Sequence, residues 1–369
     1  MSRHEKLLKL GPYAFFLQRR WGLKSARSAG SLKLAFAEDY GKRKASLREI
    51  LRIHSLGWAV DDWRLCGITE QSRHGYLSTV EYRRMHPFNG DYSRWIDDKL
   101  VLKYLCCSRE LEGLMPRYYF QIEGGRILPL PDCPAALRQS GIKGVAAILE
   151  EEGALAVKKV KGSLGAGFYK ITLEGGLVKV NDEPSSIEAL SEMLLALDGY
   201  IVTEYLRPHQ DMHAFSRDTS NTIRYLVGCG EGAPVFLKAF IRFGTKASGL
   251  VENYNSGGVL CFISEDGFFE GGNVIDPISG RNAVVDEHPD TGEPLRGRIP
   301  LWDELREGAA RFSARFPQLQ YLGFDFVVTD KNEVKMLEIN SLTSLDALQL
   351  DCSVFDTGGA EFFRSRTGR

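Results

Sequence analysis

The sequence predicts an α+β protein with mixed or antiparallel sheets, preceded by a mainly helical N-terminal region. Three observations predict it. The first hundred residues are rich in Arg, Lys, Leu and Ala and show little strand-like alternation. Beyond them, helical and β-prone segments mix without a strict βαβ order. The second half is dominated by β-prone runs.

Residues 1–95 read as several helices with loops, one of them around residues 86–91. Ser46-Leu47-Arg48-Glu49 has the form of a capping box ahead of Ile50-Leu51. A further helix is expected over residues 95–110, a strand over 117–122 and a helix start over 132–137, which contains Pro134. Residues 155–160 read as a strand, followed by a glycine-rich loop and a returning strand over 167–171. A helix over 185–197 and a strand over 200–205 come next. Residues 222–227, 234–243, 258–263, 324–328 and 334–339 read as strands, and 301–316 as a helix. Residues 270–300, rich in Gly, Pro and Asp, read as a long loop. The expected division is 1–95, 96–205 and 206–369.

Composition excludes several classes. With 47 basic and 48 acidic residues the chain sits at −1, which argues against a strongly basic nucleic-acid surface. Seven scattered cysteines without a C-x-x-C pair fit neither zinc nor a disulfide framework, and imply a reduced, cytoplasmic protein. No apolar run is long enough for a transmembrane helix. The apolar patch at 12–17 is followed by Arg19, Arg20 and Lys24 rather than a cleavage site, so it is no signal peptide. It fits a helix packed on the main body or one touching a membrane surface.

Two constellations carry chemistry. The first is Lys158-Lys159-Val160-Lys161-Gly162-Ser163-Leu164-Gly165-Ala166-Gly167-Phe168. Glycines at this density let backbone amides approach a phosphate chain. The loop joins two strands and lacks a Gly-Lys-Ser/Thr ending, so it is neither a Walker A loop nor a dinucleotide fingerprint. A ligand-free glycine hairpin fits the same residues. The second is Gly323-Phe324-Asp325-Phe326, a turn at residues 330–333, and Leu337-Glu338-Ile339-Asn340. Glu338 and Asn340 lie two apart and share a strand face. A hairpin brings Asp325 to them, making a hard-oxygen set suited to Mg²⁺.

Together these segments resemble the ATP-grasp superfamily over residues 95–350, with further motifs in the family's order. The resemblance implies an ATP-grasp fold, in which two α+β lobes clamp ATP. It assigns phosphate contacts to Lys99, from Asp98-Lys99 with Lys103 a turn on, and to Lys158, where Lys159 replaces the usual proline. It also assigns Gly162, Ser163, Gly165 and Gly167 to the phosphates. Ile201-Val202-Thr203-Glu204-Tyr205-Leu206 resembles the adenine hinge, with Glu204 and the backbone of Tyr205 and Leu206 reading the base. Asp211 stands where the family places a ribose ligand, with His209 and His213 as competitors or structural histidines. Asn221-Thr222-Ile223-Arg224 resembles the motif whose arginine faces the reacting centre, and Arg242 follows on a similar strand. Val251-Glu252-Asn253-Tyr254-Asn255-Ser256-Gly257-Gly258, together with the helical N-terminal region, resembles the sugar-transfer-associated subgroup. Asn253, Asn255, Gly257 and Gly258 are thereby candidate substrate contacts.

The resemblance implies an ATP-dependent carboxylate–amine ligase working through an acylphosphate. Arg224, Arg242 and Lys158 would be catalytic, ATP and Mg²⁺ the cofactors, and Asp325, Glu338 and Asn340 the metal ligands. The partners would be a small carboxylate and an amine, one of them an acidic or amino sugar, a sugar nucleotide or a glycan in surface-polysaccharide synthesis. A kinase acting on a hydroxyl and a non-catalytic ATP-binding partner are the alternatives. Residues 76–84 and 86–91 carry aromatic and charged side chains that suit sugar contact or ordinary surface.

Overall fold

The computed structural model describes residues 16, 18–41, 45–162, 167–216, 219–230, 232–249, 252–276 and 279–369. Two antiparallel sheets follow a helical N-terminal region. That region holds α1 (Ala26–Gly41), α2 (Leu47–Ser55), α3 (Val60–Leu65), α4 (Thr79–Met85) and α5 (Ser93–Asp97), then α6 (Lys99–Leu105). The expected capping box at Ser46 is only half made. Ser46 Oγ accepts from Glu49 N, while Glu49 Oε1 accepts from Arg64 Nη2 at 3.1 Å. A full box forms instead at Ser78 and Glu81, at the head of α4.

The expected helix over 95–110 is two helices. Asp98 breaks it: its Oδ1 accepts from Leu100 N and Val101 N, both at 3.0 Å, so a new helix begins at Lys99. The helix start near Pro134 is a single 3₁₀ turn, Ala135–Leu137, and the helix proper is α7 (Ile142–Glu152). Gly153, at φ 70°, ends α7 in the left-handed conformation that releases the chain into a strand.

The first sheet has seven strands: β1 (Tyr118–Glu123), β2 (Arg126–Pro129), β3 (Ala154–Lys159), β4 (Tyr169–Glu174), β5 (Leu177–Val180), β6 (Glu183–Ser185) and β7 (Tyr200–Glu204). Their order is β2-β1-β7-β3-β4-β5-β6. α7 and α8 (Ile187–Leu195) cover one face, where Val145, Ile148, Leu190 and Leu194 join Leu155, Val157 and Val202 in one core. Each such side chain contributes roughly 1.5–3 kcal/mol on leaving water. Lys158 alternates with Leu155 and Val157 along β3 and so lies on the other face.

The second sheet contains β8 (Ile223–Gly228), β9 (Val235–Phe243), β10 (Val259–Ile263), β11 (Phe268–Glu270), β12 (Gly272–Ile275), β13 (Asn282–Val285), β14 (Arg296–Arg298), β15 (Tyr321–Val328) and β16 (Val334–Asn340). Its main path is β13-β12-β10-β9-β8-β15-β16, with β11 bridging β10 and β14. Residues 270–300, expected as one long loop, thus carry short paired strands at the sheet edge. α9 (Trp302–Arg315) buries Leu305, Ala309 and Phe312 against Tyr225, Ile241 and Phe324 on one face. The opposite face carries Arg224, Arg242 and Asp325.

The chain closes with α10 (Leu345–Gln349) and α11 (Ala360–Thr367). The helical N-terminal region docks on this end. Tyr82 Oη donates to Thr343 O at 2.7 Å, and Asn89 exchanges two hydrogen bonds with the backbone of Tyr321. Gln349 does the same with the backbone of Leu77. Among the described residues no helix is long and apolar enough to cross a membrane.

Candidate active site

Two lysines meet where α6 and β3 converge. Asp98 caps α6 and thereby fixes Lys99 as its first residue, and Lys99 N donates to Val160 O at 3.1 Å. The buried Lys99 side chain reaches Glu338 Oε2 at 2.7 Å and donates to Gly162 O at 3.0 Å. Burial, and next the neighbouring Lys99, lower the Lys158 ammonium to about 7 against the pull of Glu338 and Glu204. Lys158 Nζ and Lys103 Nζ lie 5.6 and 5.4 Å from the centre of the Tyr118 ring. Tyr118 Oη is buried and has no hydrogen-bond partner among the described residues.

Register brings the carboxylate half together. Arg224 on β8 lies opposite Asp325 on β15, and Asp325 lies opposite Glu338 on β16, so one row crosses three strands. A bulge between Asp325 and Phe326 sits beside this row. Arg224 grips Asp325 with two bonds, Nε to Oδ1 at 2.5 Å and Nη2 to Oδ2 at 2.9 Å, and gives Nη1 to Thr343 Oγ1. Arg242 Nη2 lies 3.4 Å from Asp325 Oδ1, while its Nε is buried without a hydrogen-bond partner among the described residues. Asn340 Nδ2 donates to Asp325 Oδ2 at 3.3 Å and to Glu338 Oε1 at 3.2 Å.

Burial would raise the Asp325 carboxyl, but Arg224 and Arg242 outweigh it and hold it below its usual range. Lys99, Arg224 and Arg242 face two carboxylates, so the cluster carries surplus positive charge toward an anion. Two carboxylates and an amide oxygen are the hard donors that Mg²⁺ takes; Asn340 turns its Nδ2 toward both carboxylates here, and a flip of the amide would bring its Oδ1 to join them. Among the described residues no group of three or more His, Cys, Asp and Glu is arranged for a metal.

Other expected contacts stand differently. The Glu204 carboxylate is held by Arg117, whose backbone N donates to Oε1 at 2.9 Å and whose Nε and Nη2 donate to Oε2 at 3.1 Å. It is therefore engaged within the protein, and the chain leaves the sheet after it, at Tyr205 and Leu206. Asp211 is exposed, and lines a cavity of about 380 Å³ with residues 298–304 rather than with the lysines. His209 is buried, bonds Asn332 Oδ1 at 2.9 Å and accepts from Asp211 N; His213 bonds Pro208 O. Both rings are engaged within the protein. Ser163 and Gly165 lie outside the described residues, and Gly167 packs so closely that a Cβ there would stand 2.5 Å from Tyr200 Oη.

Asn253 caps a 3₁₀ turn, Tyr254–Ser256, through Asn255 N, and Gly257 follows at φ 100°. A Cβ on Gly258 would stand 2.6 Å from Glu252 O. Glu252 is a residue that sequence reasoning missed. Its carboxylate accepts from Asn221 N and Thr222 N, at 3.1 and 2.9 Å, and so ties this turn to the strand bearing Arg224. Tyr118, Arg117 and Thr343 were missed as well. Their roles depend on contacts between distant segments, although Tyr118 lies within a recognisable strand.

With this geometry in view, comparison with known proteins places the chain. A family model described as "Sugar-transfer associated ATP-grasp" matches residues 82–356.

The chain belongs to the sugar-transfer associated ATP-grasp family.

No curated protein matches it. Among solved structures it is similar to the D-alanyl-alanine synthetase A of Vibrio cholerae, at 12% identity and a TM-score of 0.42 over 74% of this chain. The match spans 65% of that synthetase's length. The ATP-grasp ligase PsnB complexed with a minimal precursor matches at 13% identity and TM-score 0.40, covering 78% of this chain and 68% of its own. D-cycloserine synthetase DcsG matches at 15% and 0.40, covering 75% and 71%. The architecture of this family member, α+β with two antiparallel sheets and helices, agrees with an ATP-grasp fold.

Proposed function

We propose that this ATP-grasp protein is an ADP-forming carboxylate–amine ligase. The observation that carries the reading is the convergence of Lys99 and Lys158 with the Arg224–Asp325–Glu338 row and Asn340. Lys99 and Lys158 hold the triphosphate. Asp325, Glu338 and Asn340 would hold Mg²⁺, which would supply charge neutralisation to the triphosphate. A substrate carboxylate oxygen attacks the γ-phosphorus, the bond to the β-phosphate oxygen breaks, and ADP leaves. The amine lone pair then attacks the acyl carbon of the acylphosphate. The carbon–oxygen bond to phosphate breaks, phosphate leaves, and the amine loses a proton to give the amide.

Arg224 spends both edges of its guanidinium on Asp325 and Thr343, which suits it to orienting the metal carboxylate. Arg242 keeps an unpartnered buried Nε–H, which suits it to the substrate carboxylate or the moving phosphoryl group. Glu204, Tyr205 and Leu206 would line the adenine site, with the backbone reading the base while Arg117 holds the Glu204 carboxylate.

The family's description supports a sugar-linked substrate, an acidic or amino sugar joined to an amino acid or amine, with the turn at Asn253, Asn255, Gly257 and Gly258 as its contact. All seven cysteines are free, which supports work in the reducing cytoplasm. The test is ADP release from Mg-ATP with amino acids and acidic or amino sugars offered singly and in pairs. Release that needs both members of a pair, with an amide as product, is expected. A phosphorylated product retaining the γ-phosphate would establish a kinase instead.

A further inference from the structure

We propose that the outer face of α1 and α2 is a docking surface for an anionic lipid bilayer. The first observation is charge segregation. Residues 1–60 contain thirteen Lys and Arg against four Asp and Glu, a formal +9, in a chain whose total is −1. The other 309 residues therefore stand at −10, and the near-neutral total conceals an uneven distribution of charge along the chain.

The second observation is where large apolar side chains remain in water. Leu34, Tyr40, Leu47 and Leu51 are each 40–64% exposed, all on these two short helices. α2 turns Ile50, Ile53 and His54 inward and leaves Leu47 and Leu51, one turn apart, outside. His54 stacks on Phe36 of α1 at 3.9 Å and meets Tyr40 edge-on at 5.3 Å. Its Nε2 is bonded to the buried Asp39, which also accepts from Val60 N. The seam between the helices is thus stacked and hydrogen-bonded, and the exposed Tyr40 lies against His54, which follows Leu47 and Leu51 along α2. Arg48 is exposed beside the strip, and Arg19 and Arg20 are exposed on the segment leading into α1.

Exposed apolar side chains beside basic ones match the interfacial zone of an anionic bilayer; the acidic side chains of the two helices are the exposed Glu38, the buried Asp39 and Glu49, which is paired with Arg64. The leucines enter the acyl boundary and the arginines meet lipid phosphates. Nucleic acid would use the arginines but has no place for exposed leucines at a helix seam. A second copy of this face would bring like charge against like charge.

The test is co-sedimentation of the full chain with phosphatidylcholine vesicles and with vesicles that also contain phosphatidylglycerol, at low and high salt. Binding is expected only to the anionic vesicles and to weaken with salt. Arg48→Gln is expected to lower the partition coefficient about fivefold, because each basic residue near a charged surface is worth about 1 kcal/mol. Leu47→Ser with Leu51→Ser is expected to lower it by a factor of ten or more. All three side chains are exposed, and circular dichroism checks that the variants stay folded. Equal partition to neutral and anionic vesicles overturns the proposal, as does no binding to either. Loss of dimer in the leucine variant would identify a second copy as the occupant, and duplex DNA binding unaffected by that variant would identify nucleic acid; either result also overturns it.

Discussion

Lys158 is the side chain whose behaviour can be worked out in most detail. Its ammonium is drawn down to about 7, by burial and then by Lys99, so near neutral pH about half of the molecules carry it uncharged. A triphosphate against it favours the charged form. Nucleotide binding therefore takes up a proton wherever the pH lies above the free value and below the bound one. As pH rises through about 7 the free site loses its proton. Each further unit then costs about 1.4 kcal/mol, a factor of about ten in affinity, until the bound lysine titrates as well. The uptake is about half a proton per nucleotide near pH 7 and about 0.9 near pH 8. Titration calorimetry with a non-hydrolysable ATP analogue, in buffers of different ionisation enthalpy, measures both quantities. Lys158→Arg keeps its charge throughout this range and is expected to abolish the lysine's contribution, leaving that of the nucleotide itself. Uptake near zero at pH 8 in the unaltered protein, or equal uptake in Lys158→Arg, refutes the reasoning.

Asp325→Asn takes from the buried Arg224 its directly paired carboxylate and should cost about 3–5 kcal/mol of stability by urea unfolding, with turnover lost. Gly258→Ala drives a Cβ toward Glu252 O, and displaces the carboxylate that accepts from Asn221 and Thr222. About 1–3 kcal/mol is the expected cost by the same measurement, with slower turnover through Arg224. Tyr118→Phe removes a buried hydroxyl that has no partner, so the nucleotide-free protein should melt at the same temperature or higher. A clear fall in melting temperature would show that the hydroxyl is satisfied.

Much of the fold could be read from alternation and turn chemistry. Residues 154–159, 200–204 and 334–340 are β-prone runs that became strands, and Trp302–Arg315 has helical spacing that nothing nearby contradicts. One error came where a single polar side chain overrode the pattern, another where strands were too short to show one. Asp98 caps α6 and splits a run that otherwise reads as one helix. Residues 270–300 look like a loop because their strands are three or four residues long and gain their pairing from β10 and β11. Within the site, the Asp325, Glu338 and Asn340 set follows from strand periodicity and a hairpin. The long-range bonds do not. Arg117 on Glu204, Thr343 on Arg224 and Glu252 on the backbone at 221–222 join segments 30 to 119 positions apart. Only the packed sheets specify them. The contrast between Asp211 and Lys99 makes the same point. Both were assigned by position in a motif, but only Lys99 is carried by a capped helix onto the carboxylate row.

The central claim, carboxylate activation by ATP, is tested most directly by isotope transfer. Once a reacting pair is known, its carboxylate is labelled with oxygen-18, and the phosphate released on turnover is examined by phosphorus NMR. An acylphosphate requires one labelled oxygen to leave with phosphate, and the account predicts that singly labelled species. Unlabelled phosphate, or γ-phosphate remaining on the acceptor, would contradict it.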